Sequence, residues 1–156
     1  ADEPVEFVGH SQGGIIAAQL AADPQVRSHY RVASVLTAGS PVAGFHPDSS
    51  VPMLNMENTR DIVPALDGGA NANRGHALTL HFDSEHLERK QGQDNPIAAH
   101  DIATYTEAIR ECESADAGRY RNIEDVHRWE EERRTRLGIT DATRTRSYIF
   151  DTRRVS

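Results

Sequence analysis

The segment Gly9–Gly13, with the sequence Gly-His-Ser-Gln-Gly, carries the residue types most able to do chemistry in this chain. It follows a short apolar run at 5–8 that predicts a strand, and it precedes an alanine-rich run at 15–22 that predicts a helix. A serine at such a strand-to-helix turn is typical of a nucleophile elbow, in which the two flanking glycines are expected to allow close backbone approach. Ser11 is thus the predicted nucleophile. The backbone N–H of Gln12 is expected to stabilise an oxyanion.

The elements predicted around Ser11 alternate between strands and helices. Strands that are covered on both faces of a parallel sheet are apolar throughout, with little alternation. We therefore predict an α/β fold, a mostly parallel sheet flanked by helices, in which the first helix is apolar nearly all round and buried. The predicted strands are 5–8, 31–38, 51–56 and 77–82, and the predicted helices of this region are 15–22 and 101–112.

With a Gly-His-Ser-Gln-Gly-Gly elbow between a strand and a helix, the chain resembles the α/β-hydrolase family, specifically its lipase- and esterase-like serine hydrolases. The resemblance extends over about residues 5–112. It implies that His10 flanks the nucleophile and that a catalytic triad follows the chain order serine, acid, histidine. It also implies earlier strands and an early loop with a second oxyanion donor. Because about four residues precede Val5, we expect a C-terminal portion of a longer protein, without the N-terminal strands of the fold.

Three carboxylates after Ser11 compete for the role of the acid. Asp61 begins an Asp-Ile-Val-Pro segment after the third predicted strand. This segment resembles the Asp-x-Val-Pro segment that carries the acid in several lipase-like branches. We predict Asp61, which would hold the histidine tautomer and stabilise the imidazolium. The alternatives are Glu57, nearer to the strand, and Asp67, in a turn-like Asp-Gly-Gly segment.

Eight histidines compete for the role of the base. His100 fits best, because it follows the acid and directly precedes the helix predicted at 101–112. The segment that it begins resembles the family's His-x4-Tyr segment. A helix that started at Pro96 would instead hold His100 inside it, less free to reach the serine. The alternative bases are His86 and His76.

The composition excludes several classes of partner. The chain has 156 residues and a net charge of −7, so nothing favours binding to nucleic acid or to an anionic membrane face. Its longest apolar run, Ile15–Ala18, is too short to span a membrane.

The histidines at positions 76, 81 and 86 recur at intervals that match no helix or strand face, so we predict no metal site. The single cysteine, Cys112, is expected to be a small buried residue.

The C-terminal part of the chain differs in character from the rest. We place the catalytic core at 1–118 and a charged tail at 119–156. Within the tail, 123–136 predicts a helix with Glu and Arg four residues apart, and 146–150 predicts a short strand. Trp129 is expected to anchor the helix, and the tail is expected to be a solvated appendix.

These residues together predict a serine hydrolase that cleaves carboxylic esters of small molecules or lipids and needs no cofactor. Ser11 would attack the carbonyl, His100 would transfer the proton, and Asp61 would orient His100. Two alternatives stay open, an acyltransferase with the same triad and a non-catalytic interaction domain on the hydrolase fold. The chain as given carries no recognisable signal peptide, and its oligomeric state and compartment stay open.

Overall fold

The structure, a computed structural model, describes residues 3–45, 47, 50–71, 73, 76–87, 97–114 and 120–150. Four strands form one sheet in the order β1-β2-β3-β4, and every neighbouring pair is parallel. The strands are β1 (Pro4–His10), β2 (Arg31–Ala38), β3 (Met53–Asn58) and β4 (Ala77–Phe82). The helices are α1 (Gln12–Ala22), α2 (Pro24–His29), α3 (Ile102–Cys112) and α4 (Ile123–Leu137), with 3-10 turns at Val63–Ala65 and Ala98–His100.

Helices cover both faces of the sheet, which confirms the predicted α/β class. On one face, α1 packs through the small residues Ala17, Ala18 and Ala21. On the other face, α3 and α4 pack through Tyr105 and Trp129, among others. Because successive side chains of a strand point to opposite faces, the covered strands carry buried apolar residues on both sides. Within the described part of the chain, no helix combines the length and apolarity that crossing a membrane requires.

The first helix is less buried than its composition predicts. Ile16 is 53% exposed and Leu20 is 38% exposed. The expectation that this helix is buried nearly all round is therefore wrong. Its buried residues are Gly14, Ala17, Ala18 and Ala21, and the strands that it contacts most are β1, at the edge of the described sheet, and β2.

A row of buried polar side chains crosses the sheet on the face that α1 covers. Thr37 Oγ1 donates to Asn55 Oδ1 over 2.8 Å, and Asn55 Nδ2 donates to Thr79 Oγ1 over 3.4 Å. The three residues are register partners on adjacent strands. A slip of one residue would leave these groups in the core without partners, so the row stabilises this one alignment of the strands.

The charged helix α4 belongs to the main core. Val126 and Trp129 are buried in the same cluster as Met56 and Tyr105. Trp129 therefore anchors the helix as expected. The expectation of a solvated appendix is wrong for α4, whereas residues 140–150 are exposed. Most charged residues of α4 are exposed, and its apolar residues are spaced to lie against the sheet.

Two other expectations for the C-terminal part have different outcomes. Residues 146–150, predicted as a strand, are exposed and irregular. Nothing in the described sheet pairs with them. The predicted boundary at residue 118 lies outside the described residues.

An ion pair ties α4 to the edge strand β1. Arg133 donates through Nε to Glu6 Oε2 over 2.5 Å and through Nη2 to Glu6 Oε1 over 2.7 Å. Ser34 on β2 donates to the same carboxylate over 2.5 Å. The side chain of Glu6 is only 10% exposed, so its charge depends on these donors.

We expect Arg133→Met to lower the free energy of unfolding by about 3 kcal/mol, because it leaves a buried carboxylate without its cation. Arg134→Met is the matched control, since Arg134 lies 3.8 Å from the fully exposed Asp141. Such exposed pairs contribute about 0–1 kcal/mol. Urea denaturation of both variants measures the difference. Equal losses would show that the bond to Glu6 does not stabilise the fold.

Candidate active site

Ser11 alone forms the turn between β1, which ends at His10, and α1, which begins at Gln12. Its backbone has φ 57° and ψ −130°, a conformation that residues other than glycine rarely adopt. The Ser11 N–H donates to the Ala38 carbonyl at the end of β2 over 2.9 Å, which holds the turn against the sheet. Although Ser11 is the N-cap of α1, its side chain bonds no N–H of that described helix. The hydroxyl is thus available to another partner.

The elbow requires Gly9 and Gly14 and does not require Gly13. A Cβ at Gly9 would lie 2.1 Å from the Gly13 carbonyl oxygen, and a Cβ at Gly14 would lie 2.1 Å from Ser40 Oγ. A Cβ at Gly13 would have no atom within 4 Å. The expectation that glycine is needed two residues after the serine is therefore wrong. The close approach occurs one residue later, where α1 meets the end of β2.

Two hydrogen bonds join Ser11, His100 and Asp61. His100 Nε2 lies 2.9 Å from Ser11 Oγ, and His100 Nδ1 lies 2.7 Å from Asp61 Oδ2. An ionised carboxylate only accepts, so Nδ1 carries the proton of the neutral ring and Nε2 accepts from the serine hydroxyl. The side chain of His100 is 25% exposed and that of Asp61 is 1% exposed. The imidazole of His100 is therefore accessible to a bound molecule, whereas the carboxylate of Asp61 is buried.

His100 is positioned by the 3-10 turn that it ends and by contacts with His10. It ends the 3-10 turn Ala98–His100, and α3 begins after its N-cap Asp101. His100 therefore precedes the helix, while the alternative start at Pro96 lies outside the described residues. The His10 ring packs against the His100 ring with centroids 4.8 Å apart, and His10 Nε2 donates to the His100 carbonyl over 2.7 Å. His10 thus links β1 to the turn that ends at His100.

The Asp61 carboxylate accepts three hydrogen bonds. Oδ1 accepts from the Val63 N–H over 2.9 Å, and Oδ2 accepts from both His100 and the Tyr105 hydroxyl, each over 2.7 Å. Gly39 follows β2 and has φ 60°. Because it lacks a side chain, it leaves space for the contact between Tyr105 and Asp61. A Cβ there would lie 3.0 Å from Asp61 Oδ2 and 2.9 Å from the Tyr105 ring.

Asn58, the last residue of β3, connects the loops that carry the acid and the histidine. Its Nδ2 donates to the Ala99 carbonyl over 2.9 Å and to Ser84 Oγ over 2.6 Å, and its Oδ1 accepts from the Arg60 N–H over 3.2 Å. Sequence analysis missed Asn58 and the role of Gly39. The available signal was their position at the carboxyl ends of parallel strands, where binding sites of α/β sheets form.

The alternative acids bond to other groups. Glu57 Oε2 lies 3.2 Å from His81 Nδ1 across β3 and β4. Asp67 accepts from the Ala43 N–H over 2.9 Å and thereby joins two loops. Of the three carboxylates considered, only Asp61 contacts His100.

The alternative bases also lie away from Ser11. His86 Nε2 is 2.7 Å from the buried Glu111 carboxylate, beside α3. His76 precedes β4, and its Nε2 is buried without a hydrogen-bond partner in the described structure. Among the described residues, no group of three or more His, Cys, Asp or Glu is arranged to hold a metal ion. Cys112 lies buried in the core cluster, and burial raises the pKa of its thiol to about 12.

No protein-family model matches this chain, and a search of curated proteins finds no match either. The chemistry of the site rests on its own geometry. The decisive features are the backbone conformation of Ser11 and the two hydrogen bonds that connect its hydroxyl to His100 and Asp61.

The surroundings of the three glycines predict that alanine lowers the stability of the protein at two of these positions and not at the third. We expect Gly9→Ala and Gly14→Ala each to destabilise the protein by about 3 kcal/mol, because the new Cβ would overlap neighbouring atoms. Gly13→Ala is the matched control and should leave the melting temperature unchanged or slightly higher. Thermal unfolding followed by circular dichroism compares the three. A destabilised Gly13→Ala variant would contradict the geometry of the elbow.

Burial raises the pKa of the Glu57 carboxyl, and His81 opposes that rise. A raised pKa means that the folded state holds the proton more tightly than the unfolded state, so stability falls as pH rises through the folded value. We expect Glu57→Gln to raise the melting temperature at about pH 8 and to have no effect at about pH 4, where Glu57 is itself neutral. The exposed Glu132 provides the control, Glu132→Gln. A variant less stable at the higher pH would show that the interactions of Glu57 with His81 and Asn71 outweigh burial.

Proposed function

We propose that this chain is a serine hydrolase of the α/β-hydrolase type, which cleaves carboxylic esters through a triad of Ser11, His100 and Asp61. The observation that carries the proposal is the hydrogen-bonded series of these residues, with distances of 2.9 Å and 2.7 Å. The φ of 57° at Ser11 supports it, since strain of this kind is common where a nucleophile is presented. The position at the carboxyl ends of parallel strands supports it as well.

Acylation begins with Ser11 Oγ attacking the ester carbonyl carbon while His100 Nε2 accepts the hydroxyl proton. The carbonyl electron pair moves onto oxygen. Gln12 is the first residue of α1, so its N–H has no acceptor one turn earlier in the helix and donates to this oxyanion. Asp61 stabilises the imidazolium through Nδ1. The carbonyl then re-forms, the ester C–O bond breaks, and His100 donates its proton to the leaving alcohol.

Deacylation repeats these steps with water as the nucleophile. His100 removes a proton from water as it attacks the acyl carbon, and then returns a proton to Ser11 Oγ as the acid leaves. An alcohol in place of water would give acyl transfer with the same residues. Product analysis with an added short alcohol therefore separates an acyltransferase from a hydrolase.

Four large apolar side chains are exposed close in sequence to Asp61 and His100, three of them in the segments that carry these residues and one at the start of α3. Their exposed fractions are between 59% and 77%, and they are Ile62, Leu66, Ile97 and Ile102. Apolar groups of a substrate that cover them would contribute about 0.8 kcal/mol per buried CH2. The surroundings of the triad thus favour esters with aliphatic groups.

The proposal predicts covalent labelling of Ser11. We expect a fluorophosphonate to form an adduct that mass spectrometry maps to Ser11, and short activated esters to be hydrolysed. Ser11→Ala and His100→Ala should each lower kcat by about 10⁴-fold or more, while Ser28→Ala, on the exposed helix α2, should change nothing. Because protonated imidazole cannot accept the serine proton, kcat/KM should fall at acid pH.

A folded protein that takes no label on Ser11 and hydrolyses no short activated ester would contradict a serine hydrolase. That result would favour the interaction domain. Labelling that persists in Ser11→Ala would move the nucleophile to another residue. Activity that is unchanged down to about pH 4 would count against a histidine base.

A further inference from the structure

We propose that Tyr105 is a positioning residue that sets the pH range in which the triad works, by donating to the same Asp61 oxygen that His100 uses. The inference rests on the proposed function, because it concerns how strongly Asp61 holds the imidazolium. Tyr105 does not contact Ser11 in the described hydrogen-bond network, and so it acts through Asp61.

Tyr105 and His100 share one acceptor atom. Asp61 Oδ2 accepts from the Tyr105 hydroxyl and from His100 Nδ1, each over 2.7 Å, whereas Oδ1 accepts from a backbone N–H. A donor to a carboxylate oxygen draws negative charge from it and weakens its bond to any second donor. The Tyr105 hydroxyl therefore reduces the stabilisation that Asp61 gives to protonated His100.

The hydroxyl is a fixed donor. Tyr105 is 1% exposed, and the Asn58 N–H donates to its oxygen over 3.2 Å, which leaves the hydroxyl proton directed at Asp61. Burial, with the nearby Asp61 charge, raises the pKa of Tyr105 well above its ordinary value. The hydroxyl thus keeps its proton wherever a histidine base works.

Phenylalanine can replace this residue with little change in packing. The Tyr105 ring lies edge-on to Phe82, with centroids 5.4 Å apart, and it also lies against Gly39, which has no side chain. Tyr105→Phe keeps the ring and these contacts and removes the hydroxyl, both as the donor to Asp61 and as the acceptor of the Asn58 N–H. Because the Asn58 N–H is neutral, a change in the pH profile then reports the lost hydrogen bond to the Asp61 carboxylate.

The other titratable groups around His100 are unaltered by this substitution. Among the described residues, these groups are His10 from β1, Asp61 from the loop after β3, and Asp101, whose carboxylate caps α3 through the Ala103 N–H. The charge of Glu57, on β3, acts on Tyr105. A shift in the profile is therefore assigned to the removed hydroxyl.

The test compares log kcat/KM against pH for the parent, Tyr105→Phe and Tyr120→Phe with a short activated ester. Tyr120→Phe is the matched control, because its buried hydroxyl also donates to a carboxylate, Glu111, over 2.8 Å. We expect the acid limb of Tyr105→Phe to move to higher pH, so that activity on that limb falls about threefold or more. The limb of Tyr120→Phe should coincide with that of the parent.

A second measurement does not depend on turnover. An NMR titration of the His100 ring should move to higher pH in Tyr105→Phe, whether or not the protein hydrolyses an ester. If Tyr105→Phe does not fold, parent protein made with 3-fluorotyrosine replaces it, since fluorination strengthens the donor and should move the His100 titration to lower pH.

These outcomes separate the two proposals. An acid limb and a ring titration that stay in place, or move the opposite way, would overturn the role of Tyr105 even in an active hydrolase. A ring titration that moves as expected in a protein without Ser11 labelling would retain the tuning of His100 by Tyr105 and overturn the hydrolase. A lower plateau without a shifted limb would reduce Tyr105 to a structural residue.

Discussion

The hydrogen bond between Asp61 Oδ2 and His100 Nδ1 joins residues 39 positions apart, and the arrangement of the surrounding loops depends on it. The Asp61 side chain is almost completely buried, and a buried carboxylate is stable only when donors surround it. Its three donors come from different places: Val63 in its own loop, His100 in the histidine turn and Tyr105 on α3. The need to satisfy one carboxylate therefore determines how three segments meet.

The parallel sheet brings these segments to one edge. Ser11 follows β1, Gly39 follows β2 and Asn58 ends β3, and the carboxyl ends of parallel neighbours lie side by side. A slipped register would move each of them relative to the next. The buried polar row that starts at Thr37 and crosses β3 and β4 opposes such a slip. The register of the strands in the core therefore also determines the distances between the residues at the site.

Local patterns predicted most of the elements, and long-range contacts account for the misses. The limits of β2 and β4 follow from apolar runs and agree with the structure. The short helix α2 is absent from the predicted elements, although the Asp23 carboxylate, directly after α1, is a typical N-cap and accepts from the Gln25 and Val26 N–H groups. The prediction of Ser11 used only its own segment, whereas the predictions of Asp61 and His100 also used the chain order of the family that the sequence resembles. The role of Tyr105 depends on a contact 44 residues away in the chain, which no local pattern contains.

Of the expectations drawn from the sequence, the division of the chain into a catalytic core and an accessory tail agrees least with the observed packing. In the described sheet, β1 has one neighbouring strand, yet it must hold the strained turn at Ser11. The Ser11 N–H bond to Ala38 fastens the turn to β2, and Glu6 fastens the strand to Arg133 of α4, 127 positions later. The charged helix therefore supports the strand that precedes Ser11. Its charge signals solvent exposure on one face, and the sequence alone does not reveal that one of its arginines is bound to β1.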